Sequence, residues 1–159
     1  MSVQLVKEYL KQWEFDKKVK EFDESSATVE LAAHAVGVIP ARIAKTLTFK
    51  VEDSCILIVT AGDAKIDNKK FKENFHTKAK MLTAEEVVEF TGHAIGGVCP
   101  FAISNPNVKV YLDVSMKRFE IVYPAAGSSS SAVELTLPEL EMASASLAWI
   151  DVCKGWNEE

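Results

Sequence analysis

The 159-residue chain is short of the residues that most often announce chemistry. Its three cysteines, Cys55, Cys99 and Cys153, form no C-x-x-C pair, which argues against a disulfide framework and against a zinc knuckle. The three histidines, His34, His76 and His93, are equally scattered, so the sequence calls for no metal and no cofactor. No apolar run approaches the ~18 residues of a membrane-spanning helix. The opening stretch MSVQLVKEYLKQWEFDKK is charged and amphipathic rather than a signal peptide. The expectation is a cytoplasmic protein without a membrane partner, monomeric or weakly dimeric. Glycine-rich nucleotide signatures, G-x-G-x-x-G and G-x-x-x-x-G-K, are missing as well.

What is present is ordinary globular composition, 48% hydrophobic and 26% charged, which excludes a disordered chain and fits one domain over 1–159. The net charge of −5 argues by itself against a nucleic-acid partner. It hides an uneven distribution. Between Lys65 and Lys80 six lysines stand against Asp67 and Glu73, a local charge of +4, leaving −9 for the rest.

The apolar spacing of Val6, Tyr9, Leu10 and Trp13 predicts an N-terminal helix. Ser25, Ser26 and Thr28 offer capping hydroxyls for a helix over VELAAHAV, stopped at Gly37. TLTFKVE alternates as a half-buried strand, whereas the apolar run CILIVTAG reads as a strand buried on both faces. DNKKFKENF predicts a surface helix carrying Phe71 and Phe75, and AKML a short strand. Thr83 with Glu86, and Thr136 with Glu139, are capping-box pairs opening AEEVVEFT and a last helix over ELEMASASLAWI. VCPFAI, VKVYLD, EIVYPAA and AVELTL are read as strands. About seven strands and five helices, without regular βαβ alternation, predict an α+β fold on a mixed sheet.

Seven glycines and five prolines serve the whole chain, yet TGHAIGGVCPFAIS concentrates several of them. Gly96 and Gly97 would let a ligand approach the main chain, with Pro100 fixing the loop, or would simply make a tight turn. Lys45, where a loop meets a strand, either aims its charge at a phosphate or is a solvated surface lysine. Cys99 and His93 invite a thiol-nucleophile reading against that of a buried small cysteine. Asp113 ends a strand as an acid/base, a polar orienter or a turn residue.

In order and spacing, IPARIAKTLTFK, CILIVTAGDAKID, TGHAIGGVCPFA, VYLDVSM and VYPAAGSSSSAVELTLPEL resemble the YbaK family, the prolyl-tRNA-synthetase-associated editing domain. The likeness spans 26–150, with 1–24 as a helical extension. It implies a barrel-like mixed sheet ringed by helices, and hydrolysis of the ester joining a wrong amino acid to a tRNA 3′ end. By this resemblance, Lys45 engages the phosphate of the tRNA end, and the main chain of Gly96, Gly97, Val98, Cys99 and Pro100 holds the aminoacyl group and the water. Arg42, Thr46, His93, Ile95, Phe101, Asp113, Gly127 and Ser128 fall in the stretches expected to bind substrate. Lys65, Lys69 and Lys70 are the candidates for tRNA contact, with a solvated lysine face as the alternative. The expected partners are a mischarged tRNA and an aminoacyl-tRNA synthetase. Two departures bear on specificity: Cys99 stands where many relatives have serine, and GSSSS replaces an arginine- or glycine-rich loop. A non-catalytic tRNA-end or protein-binding module of the same fold is the competing function.

Overall fold

One strand organises the molecule. In the computed structural model, which describes residues 3–156, the apolar run Cys55–Ala61 is buried throughout. It forms most of β3 (Ser54–Ala61), whose β-branched and leucine side chains suit a strand covered on both faces. β2 (Ile43–Val51) pairs antiparallel with β3 along nearly its whole length, and β5 (Lys109–Asp113) pairs parallel on the other side. With β6 (Ile121–Pro124), β8 (Leu135–Thr136) and β9 (Ala148–Ile150), they make a mixed six-stranded sheet in the order β8-β6-β2-β3-β5-β9. The sheet is curled into a half-barrel in an α+β fold. Two short antiparallel pairs flank it: β1 (Val19–Glu21) with β7 (Ser131–Val133), and β4 (Lys65–Ile66) with β10 (Cys153–Lys154).

The helices form where their caps predict. Thr28 caps α2 (Val29–Val36) through the Leu31 N–H, and Gly37 closes it in the left-handed conformation at φ 86°. Both capping boxes are made, at α4 (Ala84–Thr91) and α5 (Leu137–Ser144). Asp67 caps α3 (Asn68–Phe75). Phe71 of that helix, fully buried, meets Phe49 of β2 and Phe75 at 4.9 Å each. α1 (Val3–Leu10) buries Val6 and Leu10 in the same core, and the Tyr9 hydroxyl donates to Ala143 O at 2.5 Å.

Three local expectations fail. VCPFAI is loop, not strand, and Ala102 sits at φ 59°. The last helix stops at Ser144, because Ala145 turns left-handed at φ 52° and Ala148–Ile150 pairs with β5 instead. AKML contributes only one bridge, Met81 to Phe49.

Candidate functional site

The site begins as a gap on one edge of β2. There β6 pairs with β2 only at Ile43 and Ala44. Farther along, residues 80–82 take over the same edge: Lys50 N–H donates to Lys80 O at 2.8 Å, and Leu82 N–H to Thr48 O at 3.3 Å. Alternation along a strand turns the main-chain N–H and C=O of Thr46 toward this edge, as it does those of Thr48 and Lys50. Thr46 thus lies between the two partners, beside a cavity of about 100 Å³. That is space for several waters or a small side chain.

Small residues shape the cavity. Val29 and Ala32 of α2, Ala44 to Thr46 of β2, Ile95, Gly96 and Val98 of the glycine loop, and Ser131 and Ala132 of β7 all contribute walls. Of the residues singled out in the sequence, Lys45, Thr46, Ile95, Gly96 and Val98 converge here. The Thr46 hydroxyl is buried without a hydrogen-bond partner among the described residues.

Lys45 is partly buried, and its ammonium donates to the carbonyls of Ala64 and, at 3.4 Å, Gly62. Burial holds its pKa below the ordinary lysine value, with Asp63 and Glu30 pulling the other way. Among the described residues it makes no ion pair, so its positive charge is not cancelled by a carboxylate contact.

The two glycines of the loop have different reasons. A Cβ on Gly97 would lie 2.7 Å from the N, Cα and C atoms of Ser128. Its close approach is therefore to the Gly127–Ser131 turn, and its own N–H donates to Ala94 O at 2.9 Å. A Cβ on Gly96 would meet only Ser129 Cβ at 3.4 Å and Ala27 Cβ at 3.6 Å. Gly96 faces the cavity.

Behind this wall stand Cys99, Pro100 and Phe101, all buried. His93 is fully buried, and its Nε2 lies 2.7 Å from Phe101 O. A carbonyl partner requires a proton on Nε2, so that nitrogen cannot also accept one from Cys99 Sγ, 3.5 Å away. Burial lowers the His93 pKa and pushes the Cys99 thiol up to about 12. A thiolate nucleophile has no support here. Iodoacetamide should accordingly label Cys99 only after unfolding, and Cys99→Ser should fold like the wild type; prompt labelling of the folded protein would reverse this assignment.

The remaining candidates lie elsewhere. Asp113 is fully buried and accepts the N–H groups of Ser115 and Val152 at 2.9 Å each, tying β5 to the C-terminal segment. Arg42 donates to Ile121 O at 3.4 Å and lies over the Phe119 ring. Gly127, at φ 94°, and Ser128, bonded to Ser131 Oγ at 2.8 Å, support the turn against Gly97. Lys65 is exposed on β4 and Lys69 is exposed on α3, whereas Lys70 is held by Asp151 at 3.0 Å. The sequence reading missed Ala27, Tyr123 and Ala132 in the cavity wall and took Ser26 only for a capping hydroxyl; the two alanines carry no chemical signal, and Tyr123 sits within a stretch read only as a strand. Among the described residues no group of three or more His, Cys, Asp or Glu side chains is placed to hold a metal, and no helix is long and apolar enough to cross a membrane.

The profile of the "Aminoacyl-tRNA editing domain" family matches residues 23–142. The chain belongs to that family. It is 56% identical over 158 residues to the uncharacterized protein YwhH of Bacillus subtilis (strain 168), covering 99% of this chain and 100% of that one. It is 30% identical over 112 residues to the proline–tRNA ligase of the same organism, covering 70% of this chain but 18% of the ligase. The Thermotoga maritima ligase is 24% identical over 116 residues, with 72% and 20% covered. The chain thus spans about a fifth of the synthetases it matches. In three dimensions it resembles a crystal structure described as "a putative trans-editing enzyme for prolyl tRNA synthetase", with a TM-score of 0.86, 30% identity, and 96% and 97% of the two chains covered. In this editing-domain fold, the cavity on the β2 edge is the place to look for chemistry.

Proposed function

We propose that this editing domain is an aminoacyl-tRNA deacylase, acting in trans on tRNA mischarged with a small amino acid. The observation that carries the reading is the cavity itself. It brings Lys45, the main-chain groups of Thr46 and the Gly96–Val98 loop around a space sized for a small side chain, with no carboxylate, imidazole or thiol on its walls. Such a site suits hydrolysis by positioned water better than covalent catalysis.

In this mechanism Lys45 binds a phosphate of the tRNA end, and the aminoacyl group enters between β2 and the glycine loop. Water attacks the ester carbonyl carbon, and main-chain N–H groups of the loop stabilise the oxyanion, a contribution of ~2.7–4 kcal/mol per donor in comparable sites. Because the Gly97 N–H is committed to Ala94 O, this role falls to Gly96 and Val98. The bond from the carbonyl carbon to the ribose oxygen then breaks. The proton lost by the water passes to that oxygen, with the neighbouring ribose hydroxyl as relay, leaving a free amino acid and an uncharged tRNA. A second sieve of this kind is needed because a synthetase pocket separates neighbouring side chains by only ~1–3 kcal/mol.

Release of amino acid from tRNAs carrying alanine, serine, cysteine or threonine tests the reading. Hydrolysis of one or two of these esters well above the uncatalysed rate is expected. A flat background across the panel, with tRNA still bound, would favour the non-catalytic binding module.

A further inference from the structure

We infer that Lys69, Lys72 and Lys78 form the phosphate-binding groove that holds the tRNA body while its 3′ end occupies the cavity. The inference rests on the deacylase reading for its ligand, but on separate residues. His76 closes α3 in the left-handed conformation at φ 60°, so the chain doubles back beside the helix. Lys78 and Ala79 thereby join Asn68, Lys69 and Lys72 around a surface groove of about 440 Å³. All three lysines are exposed, and among the described residues none makes an ion pair.

No carboxylate lines the groove. The nearby Asp67 spends its carboxylate on the Lys69 and Lys70 N–H groups at 2.9 and 3.2 Å. Three unpaired cations without an aromatic or large apolar neighbour fit a row of phosphates, whose contacts position a nucleic acid without reading its sequence. Lys70 is excluded, being held by Asp151 and by Cys153 O at 3.0 Å each.

The groove is tied by the chain to the strand that carries the cavity. The segment leaving Lys78 reaches β2 where Lys80 O and the Leu82 N–H meet Lys50 and Thr48. At about 3.3 Å per residue, those positions lie roughly 7–13 Å along the strand from Thr46. The segment that carries Lys78 thus joins β2 on the same edge on which Thr46 lies beside the cavity.

The test uses the full chain and a fluorescent, uncharged tRNA, titrated at several salt concentrations. The triple variant Lys69→Gln/Lys72→Gln/Lys78→Gln is expected to bind about tenfold or more weakly at 0.1 M salt, its salt slope shallower by about 2, as loss of three phosphate contacts requires. A control, Lys11→Gln/Lys17→Gln/Lys109→Gln, should match the wild type. Equal affinity and slope in wild type and groove variant, or an equal loss in the control, overturns the inference. Failure of the two readings is separable. Groove-dependent binding without hydrolysis of any ester sinks the deacylase alone, and hydrolysis with groove-independent binding sinks only the groove.

Discussion

Gly97→Ala is expected to lose stability and activity together, while its neighbour Gly96→Ala folds like the wild type. The new methyl at Gly97 would stand 2.7 Å from three backbone atoms of Ser128. That turn cannot retreat easily, because Ser129 O accepts the Ser26 N–H at 2.6 Å and Ser130 O the Phe22 N–H at 2.8 Å. The strand that follows, β7, is paired with β1 from Ser131 onward. Overpacking of this kind costs about 1–3 kcal/mol, seen as a lower urea midpoint at unchanged slope. The glycine loop, pushed away from the turn, also carries the cavity wall, and a displacement near 1 Å can cost on the order of 10²-fold in rate. At Gly96 the added methyl meets only side-chain carbons at ordinary contact distance. That variant should keep its midpoint but hydrolyse its bulkier substrates more slowly, since the methyl projects where the aminoacyl group would lie. If Gly97→Ala unfolds and turns over like Gly96→Ala, the glycine pair is not shaped by the Ser128 turn.

This contrast shows what could be read without coordinates. The concentration of glycine and proline at Gly96–Pro100 and the lysine at the entrance to a strand single out the loop and Lys45 but leave a tight turn and a solvated lysine as alternatives; the structure brings both to one cavity. Nothing in the local sequence tells Gly96 from Gly97, because the atom that excludes a Cβ belongs to Ser128, some thirty positions away. The elements divide the same way. α2, α4 and α5 begin at hydroxyl caps written in the sequence, and β3 follows from an apolar run that only a central strand can bury. β4, β9 and β10 are two or three residues long and exist through pairing with distant partners. The left-handed Ala145 that frees Ala148–Ile150 for β5 carries no glycine to announce it. His93 and Asp113, chemically eloquent in sequence, spend their hydrogen bonds holding the Phe101 and Val152 backbone. Burial decides their use, and burial is a property of the whole fold.

Lys45→Ala is expected to lower kcat/KM for a mischarged tRNA by roughly 10- to 150-fold, the loss of a charged hydrogen bond worth about 1.5–3 kcal/mol. A phosphate held alike in ground and transition states makes this chiefly a KM effect. Lys45→Arg should not restore the wild type. The ammonium sits against the Gly62 and Ala64 carbonyls, and Gly62 cannot shift to admit a larger group: even a Cβ there would lie 2.1 Å from Pro40 O and 2.7 Å from Val29 Cγ1. The pH dependence has a definite sign. Only the protonated amine binds an anion, and burial lowers its pKa from the ordinary 10.5. Wild-type kcat/KM should therefore fall as pH rises through that lowered value, earlier than a solvated lysine would dictate. Lys45→Ala should show no such limb. An alkaline limb that survives in Lys45→Ala would belong to another group. A variant as active as the wild type would remove the lysine from the site and leave the main chain of Thr46 and the glycine loop to hold the tRNA end alone.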